Sequence, residues 1–499
     1  MLERAQHRRL GIMDMNDLLR RTWQNLTRGP EAAARARALR TLEASAWPAF
    51  ALAALRRLQA DGGTAYLVGG TVRDVLRGRP VTGSVDVATS VTPDQVSRRF
   101  THVVPTGIAH GTVTILDGEP PIECTTFRRE GPYSDARRPD DVQFTGDPLE
   151  DLARRDLTIN ALAYDPLGRE LLDPHGGARD LERRRLCAVG EPLDRFREDA
   201  LRPLRVARFT ATLEMEPDAE LEAALRRLPD PDSGYAPEAV ALERVRDELL
   251  KLMSAPEPSR GFELLRLSRL LERWLPELAR CRGVPQNRYH AYDVYYHSLY
   301  TCDAAPAGKP VVRWAALLHD IGKPDTRVER GGEGTFYNHQ FVGADLADRL
   351  LERLRFPNDL RARIVHLVRE HMFDYRPSWS DAALRRWLRQ VGTDHVADLF
   401  DLRIADALGN GLRQGFPAYL SEMRERIERI IAEATAFKVT DLAVDGRDVM
   451  REVGIAPGPE VRATLEALLE EVLDRPERNT REHLLERLRQ RRPFAPGSA

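Results

Sequence analysis

Apolar and polar positions follow two different patterns along the chain. Up to about residue 185 the apolar runs are brief. Tyr66–Val68, Thr112–Leu116, Ile122–Phe127 and Ala161–Tyr164 carry β-branched and aromatic residues and read as strands. Helix-length patterns fall between them, the clearest being Ala49–Ala60, an amphipathic stretch with Gly62-Gly63 as its stop. From about residue 190 onward Leu, Val and Ile recur at helical spacing, with Arg and Glu on the opposite faces. Pro-rich breaks interrupt this pattern at 228–237 and 255–258, and a looser stretch lies at 303–310. Residues 1 to about 47 are also helical in pattern, broken at Gly29-Pro30. The pattern predicts an α/β or α+β head on a long helical body.

One stretch of the head already suggests chemistry. Tyr66-Leu-Val-Gly69-Gly70-Thr71 reads as strand, glycine turn and helix start, with Thr71 able to cap the helix. Two residues without Cβ let a phosphate approach the backbone, and a helix N-terminus adds partial positive charge. The next strand brings a carboxylate, Asp86, and a neighbouring strand could place Glu123 beside it. Two carboxylates next to a phosphate cradle suit Mg²⁺.

Bulk composition narrows the partners only slightly. The chain has 499 residues, 42% of them hydrophobic, and a net charge of −2, so no global charge draws it to nucleic acid. Only Lys251, Lys309, Lys323 and Lys438 are lysines, so nearly all of the 75 basic residues are arginine, the side chain with a planar fork for phosphates. Cys124, Cys187, Cys281 and Cys302 lie far apart, and neither a zinc ribbon nor a disulfide framework is expected. No apolar run is long enough for a membrane span and the N-terminus does not read as a signal peptide, so the expectation is a soluble cytoplasmic protein.

Two arginine–acid clusters follow. Arg154-Arg155-Asp156-Leu-Thr158-Ile-Asn160 precedes an apolar strand; its arginines suit a triphosphate and Asn160 suits a sugar or phosphate. Glu198-Asp199-Ala-Leu-Arg202 is read as opening a helix that continues through Arg205 and Arg208. Asp199 and Arg202, three apart, would then share a face and offer an acceptor beside a donor, the hydrogen-bonding edge of a base.

In order, Gly69-Gly70 with Val72-Arg73-Asp74, Val85-Asp86-Val87-Ala88-Thr89, Arg154-Arg155-Asp156 with Thr158 and Asn160, and Glu198-Asp199 with Arg202 resemble the class II tRNA nucleotidyltransferases and bacterial poly(A) polymerases. The segment Phe127 to Asp140 resembles that family's flexible loop, and Asp173 to Leu181 the end of its head. The resemblance covers about residues 60–210. It implies transfer of CMP or AMP from CTP or ATP to a tRNA 3′ end. Asp86 and Glu123 would hold Mg²⁺, and Gly69, Gly70, Arg73, Arg154, Arg155, Asp156, Asn160, Arg205 and Arg208 would contact the nucleotide. Asp199 and Arg202 would read the base. The motifs leave addition of CC, of A or of all three nucleotides open. One position departs from the family pattern of Asp-x-Asp: the first carboxylate is Ser84.

The helical body carries a second set. His297, then His319-Asp320 at the end of an apolar helix, and Asp406 resemble the metal ligands of HD phosphohydrolases, with His339 and His371 as further ligands or phosphate contacts. Imidazoles with carboxylates suit Mn²⁺, Ni²⁺, Fe²⁺ or Zn²⁺. The expected fold is thus α+β: a small nucleotidyltransferase head with a mixed β-sheet, then a long all-α body containing an HD domain. Expected boundaries are an N-terminal helical extension (1–47), the head (48–187), a helical neck for base and RNA binding (188–275), the HD domain (276–425) and a helical tail (426–499). Two alternatives stay open: an HD phosphohydrolase whose head, impaired at Ser84, serves RNA binding, and a poly(A) polymerase. The sequence is silent on oligomeric state.

Overall fold

The computed structural model describes residues 29–108, 111–130, 142–288, 290–330, 333–412, 419–433 and 436–490. Most of the segment resembling a flexible loop therefore lies outside the described residues, as do the first 28 positions. The chain forms two compact units. The first runs to Leu252 and includes Glu263–Arg269; the second holds Met253–Phe262 and the chain from Leu270.

The first unit begins with helices α1 (Pro30–Ala44) and α2 (Ala49–Gln59), strand β1 (Ala65–Val68) and helix α3 (Gly69–Leu76). Strands β2 (Val85–Thr89), β3 (Val103–Gly107), β4 (Thr112–Ile115) and β5 (Ile122–Thr126) follow, then helix α4 (Pro148–Ala153). Strands β6 (Ala163–Asp165) and β7 (Glu170–Leu172) complete one sheet, ordered β3-β4-β5-β2-β1-β6-β7. Only β2 and β5 run parallel within it, so the sheet is mixed as expected. Helices α5 (Arg202–Leu213) and α6 (Leu242–Leu252) close the unit.

Side-chain alternation explains how the sheet is covered. On β5, Ile122, Cys124 and Thr126 are buried while Glu123 between them is exposed. One apolar layer joins Leu67, Val87 and Ile122 to Leu42 of α1, Leu55 and Leu58 of α2, and Val72 of α3. Helix α1, placed by sequence in an extension, therefore contributes to the core of the head. The opposite layer gathers Val68, Ala88, Phe127 and Ala163. Helix α3 corrects the sequence reading in one detail. It opens at Gly69, two residues before Thr71, so Thr71 is not its cap. The Thr71 hydroxyl instead accepts the backbone N–H of Asp86 at 2.8 Å and ties α3 to β2.

The second unit is helical. Helices α7 (Val294–Ala304), α8 (Pro310–Leu318), α9 (His339–Arg353), α10 (Asn358–Glu370) and α11 (Val396–Gly409) form its bundle. Every residue of α8 from Val311 to Leu318 is buried, the signature of a helix surrounded by others. Gly409 lets α11 approach α7, since a Cβ there would lie 2.4 Å from the Thr301 nitrogen. Helices α12 (Gly446–Val453), α13 (Pro459–Asp474) and α14 (Arg481–Gln490) share their own core around Val449, Leu468 and Leu484. Charged residues of this tail pair with one another. Arg451 and Arg481 hold Asp448, and His483 and Arg487 hold Glu471. Among the described residues no helix is long and apolar enough to cross a membrane.

Arg313 is the most buried arginine among the described residues, 2% exposed, and its partners are carbonyls: Ala305 at 3.0 Å, Met253 at 2.7 Å, and Ala255. Arg313→Ala would orphan these acceptors, each costing about 1–3 kcal/mol when left buried. A lower unfolding midpoint, reflecting a loss of about 3 kcal/mol, is expected in a chemical denaturation curve.

Candidate active site and candidate metal centre

The head opens into a cleft of about 690 Å³. Its walls carry eight arginines against four carboxylates, an excess of positive charge suited to phosphates rather than to a neutral ligand. All thirteen residues expected from the sequence to be catalytic or to bind nucleotide line it: Gly69, Gly70, Arg73, Asp86, Glu123, Arg154, Arg155, Asp156, Asn160, Asp199, Arg202, Arg205 and Arg208.

Strand register brings the two carboxylates together. Asp86 on β2 is the direct partner of Glu123 on parallel β5. Burial and the Glu123 charge push the Asp86 carboxyl above its ordinary range, against the pull of Arg155 and Arg73. Two acids that resist sharing a site without a cation fit Mg²⁺, and both face the cleft. Ser84 sits just before β2, and its hydroxyl donates to Glu123 Oε1 at 3.0 Å. The missing first aspartate is thus replaced by a hydroxyl that steers Glu123. The glycine turn is tight for a local reason. Gly69 has φ +58°, and a Cβ there would lie 2.9 Å from Arg155 Nη1, while one on Gly70 would meet Asp86 Oδ2 at 3.3 Å.

Buried acids fix the arginines. Asp151, on α4 and 1% exposed, holds Arg154 at 2.6 Å and Arg155 at 3.1 Å. Arg73 donates to the Asn160 side chain at 2.7 Å, and Asn160 donates in turn to Asp156 at 3.0 Å. Arg205 reaches Asp156 at 2.7 Å, and Arg208 reaches Glu248, 3% exposed, at 2.5 Å while its guanidinium lies 3.8 Å over Phe209. Sequence reasoning missed Asp151, Glu248 and Phe209. Asp151 has the signal of an acid three and four residues before two arginines on a short helix; Glu248 has none, coming 40 residues after Arg208.

Asp156 makes a pH prediction. Burial alone would raise its carboxyl, but Arg205 and the Asn160 amide outweigh burial and hold it well below the usual carboxylate range. Its folded value is below the unfolded value of about 3.9. Its stabilising contribution is therefore complete above that pH and is lost as pH falls toward the folded value. Asp156→Asn is expected to cost about 3 kcal/mol at neutral pH, and to flatten the acid limb of stability measured by denaturation between pH 6 and 2.

Asp199 and Arg202 differ from expectation. One helix, Pro192–Glu198, ends before Asp199, and α5 begins at Arg202, so the two are not on one continuous helix face. They form no ion pair. Arg202 is held by Glu198 at 2.5 Å, and Asp199 is gripped by Arg244 of α6 at 2.7 Å. Arg244 also lines the cleft and is absent from the sequence-based set.

The second unit gathers the other cluster. His297 (α7), His319 and Asp320 (after α8), His339 (first residue of α9), His371 (after α10) and Asp406 (α11) converge. Each of the four histidines turns Nδ1 to a backbone carbonyl: Gly409 for His297, Ala316 for His319, Phe336 for His339 and Val368 for His371. A proton on Nδ1 leaves the Nε2 lone pair as the free valence, the tautomer that ligates metals. Those Nε2 atoms meet in pairs, His297 with His319 and His339 with His371, each at 3.2 Å. Asp320 touches both pairs, Oδ2 lying 3.1 Å from His319 and Oδ1 3.3 Å from His339. Asp406 Oδ1 lies 3.1 Å from His297. Burial together with His319 and His339 pushes the His371 imidazole down to about 3, so it stays neutral at ordinary pH. Facing lone pairs with carboxylates between them fit a cation of the imidazole-binding kind. Lys323 adds a charge 2.6 Å from Asp320.

Comparison with known proteins finds matches to both the head and the helical body. Residues 65–187 match the poly A polymerase head domain, 288–411 the HD domain, and 238–281 a probable RNA- and SrmB-binding site of polymerase A. The chain is 38% identical over 332 residues to the A-adding tRNA nucleotidyltransferase of Deinococcus radiodurans, covering 64% of this chain and 74% of that protein. It is 32% identical to the CCA-adding enzyme of Lactococcus lactis over 84% of this chain and 91% of that one. The crystal structure of the Bacillus stearothermophilus CCA-adding enzyme in complex with CTP aligns at a TM-score of 0.66 with 28% identity, over 88% of this chain and 96% of that one. The mixed-sheet head with its paired carboxylates, the arginine-lined cleft and these relatives establish that the chain belongs to the CCA-adding family of tRNA nucleotidyltransferases, with an HD domain in its helical body.

Proposed function

We propose that the chain transfers CMP and/or AMP from CTP or ATP to the 3′ end of tRNA, adding or repairing CCA in the cytoplasm. The observation that carries this reading is Asp86 paired with Glu123 across parallel strands, facing a cleft with eight arginines. Asp86 and Glu123 would hold Mg²⁺, which when bound offsets phosphate charge and makes the attacking 3′-hydroxyl more acidic. Ser84 aims Glu123 toward that position. Arg73, Arg155 and Arg205, already oriented by Asn160, Asp151 and Asp156, donate to the triphosphate without further ordering cost. The 3′-hydroxyl attacks the α-phosphate and pyrophosphate leaves. Asp199 accepts from the exocyclic amine of C or A, and Arg202 donates to the adjacent ring nitrogen.

The test supplies purified protein and Mg²⁺ with tRNAs ending before, within or after CC, and CTP and ATP separately. Incorporation on at least one acceptor is expected, and the accepted end tells CC, A and full CCA addition apart. No incorporation on any acceptor would overturn the reading.

A second activity is favoured by the four converging imidazoles. His297, His319, Asp320 and Asp406, with His339 and His371, would hold Mn²⁺, Ni²⁺, Fe²⁺ or Zn²⁺, which when bound supplies Lewis acidity toward a phosphate ester. Lys323 lies where it can attract the phosphate charge. Metal-dependent release of phosphate from phosphomonoesters, or ring opening of cyclic phosphodiesters to phosphomonoesters, is expected, and activity that persists in His319→Ala would remove the site.

A further inference from the structure

Asp199 is proposed above to read the base, yet the group that holds it is neither its sequence neighbour nor Arg202. We infer that Arg244 is the positioning residue for Asp199 and through it sets the choice of amine-bearing bases; this rests on the transferase reading.

Asp199 lies where the chain breaks between two helices, with extended backbone at φ −137°, ψ 106°. No helix fixes its side chain. One local bond reaches it: the Leu201 N–H donates to Oδ1 at 3.1 Å. A single bond to one oxygen leaves the carboxylate free to turn. Arg244, in the first turn of α6 and 45 residues further along the chain, closes on both oxygens, Nη1 to Oδ1 at 3.2 Å and Nη2 to Oδ2 at 2.7 Å. Two parallel bonds from a planar fork fix the carboxylate plane.

The fork also selects which lone pair remains. Each carboxylate oxygen accepts about two hydrogen bonds. Oδ1 takes two, from Leu201 and Arg244, whereas Oδ2 takes one from Arg244. The remaining acceptor is thus on Oδ2. Cytosine and adenine offer an exocyclic N–H to such an acceptor; uracil and guanine offer a carbonyl, which an ionised carboxylate repels. Arg202 is poorly placed to supply this alignment. It is 8% exposed, and its Nη atoms donate to the Arg195 carbonyl, the Glu198 carboxylate and the Arg154 carbonyl.

The experiment compares wild type, Arg244→Lys and Arg244→Met in the full chain, reading kcat/KM for CTP and ATP against UTP and GTP on a tRNA acceptor. Equilibrium binding of CTP and UTP with Mg²⁺ is measured alongside. Arg244→Met is expected to lower the amine-to-carbonyl ratio about tenfold or more, chiefly by losing CTP and ATP. Arg244→Lys, which keeps the charge without the fork, should recover only part of it. A merely structural role would depress all four nucleotides alike. A wild-type ratio in Arg244→Met, in transfer or in binding, would overturn the inference. A wild type that binds CTP but transfers nothing would instead sink the transferase reading, while the binding ratio still decides Arg244.

Discussion

Asp86→Asn is expected to lower nucleotide transfer about a thousandfold while leaving the head folded. The amide keeps the shape of the side chain, and the bond that ties β2 to α3 uses the Asp86 backbone N–H. What disappears is one of only two carboxylates paired at the cleft edge, because the position two residues earlier on the same stretch is Ser84. Metal-assisted charge stabilisation is worth several kcal/mol, and about 4 kcal/mol corresponds to a thousandfold. A head with a third acid could compensate; this one has a hydroxyl. Ser84→Asp tests the same point in the opposite direction. It adds a carboxylate beside Glu123 and is expected to raise Mg²⁺ affinity, read as a lower Mg²⁺ concentration for half-maximal transfer. Labelled CMP or AMP incorporation into tRNA measures both effects, and circular dichroism checks the fold.

Asp320→Asn is expected to strip the second unit of bound transition metal. Asp320 is 1% exposed and is the carboxylate common to both histidine pairs, with Lys323 at 2.6 Å. Losing its charge removes the anion that offsets a cation between imidazoles and leaves Lys323 buried without its counter-charge. Metal content by mass spectrometry should fall to about a tenth or less of wild type, since structural ligands bind through their charged form. Stability should fall by about 3 kcal/mol, the usual cost of breaking a buried pair. The same metal should leave wild type on acidification, as protons compete for imidazole nitrogens. Metal content unchanged in Asp320→Asn would remove Asp320 from the ligand set.

Local signals made much of the head legible. The runs at Tyr66, Thr112, Ile122 and Ala161 each mark a strand of the sheet within two residues, because their apolar positions are buried against helices. Strand β3 left no such trace. Its Val104, Pro105 and Thr106 are exposed, so the edge strand carries no buried alternation to read. Strand β7 has only three residues. The glycine turn and the two carboxylates survived translation into space because Gly69, Gly70, Asp86 and Glu123 sit on or directly beside β1, β2 and β5.

Asp199 and Arg202 show where spacing misleads. Three residues apart implies one face only if the helix is continuous, and Pro203 at the start of α5 is the signal of a new helix. The true partner, Arg244, comes from another helix and leaves no local mark. Glu248, which fixes Arg208, is equally silent for the same reason. In the body, the histidine set was readable as residue types, but not the common orientation of the four Nδ1 atoms toward carbonyls, which depends on packing.

The most direct measurement is Mg²⁺-dependent incorporation of labelled CMP and AMP into tRNA by the full chain, with Asp86→Asn and Glu123→Gln in parallel. Incorporation by wild type that collapses in both variants is the predicted result. Incorporation at wild-type rate in either variant would contradict the paired-carboxylate site.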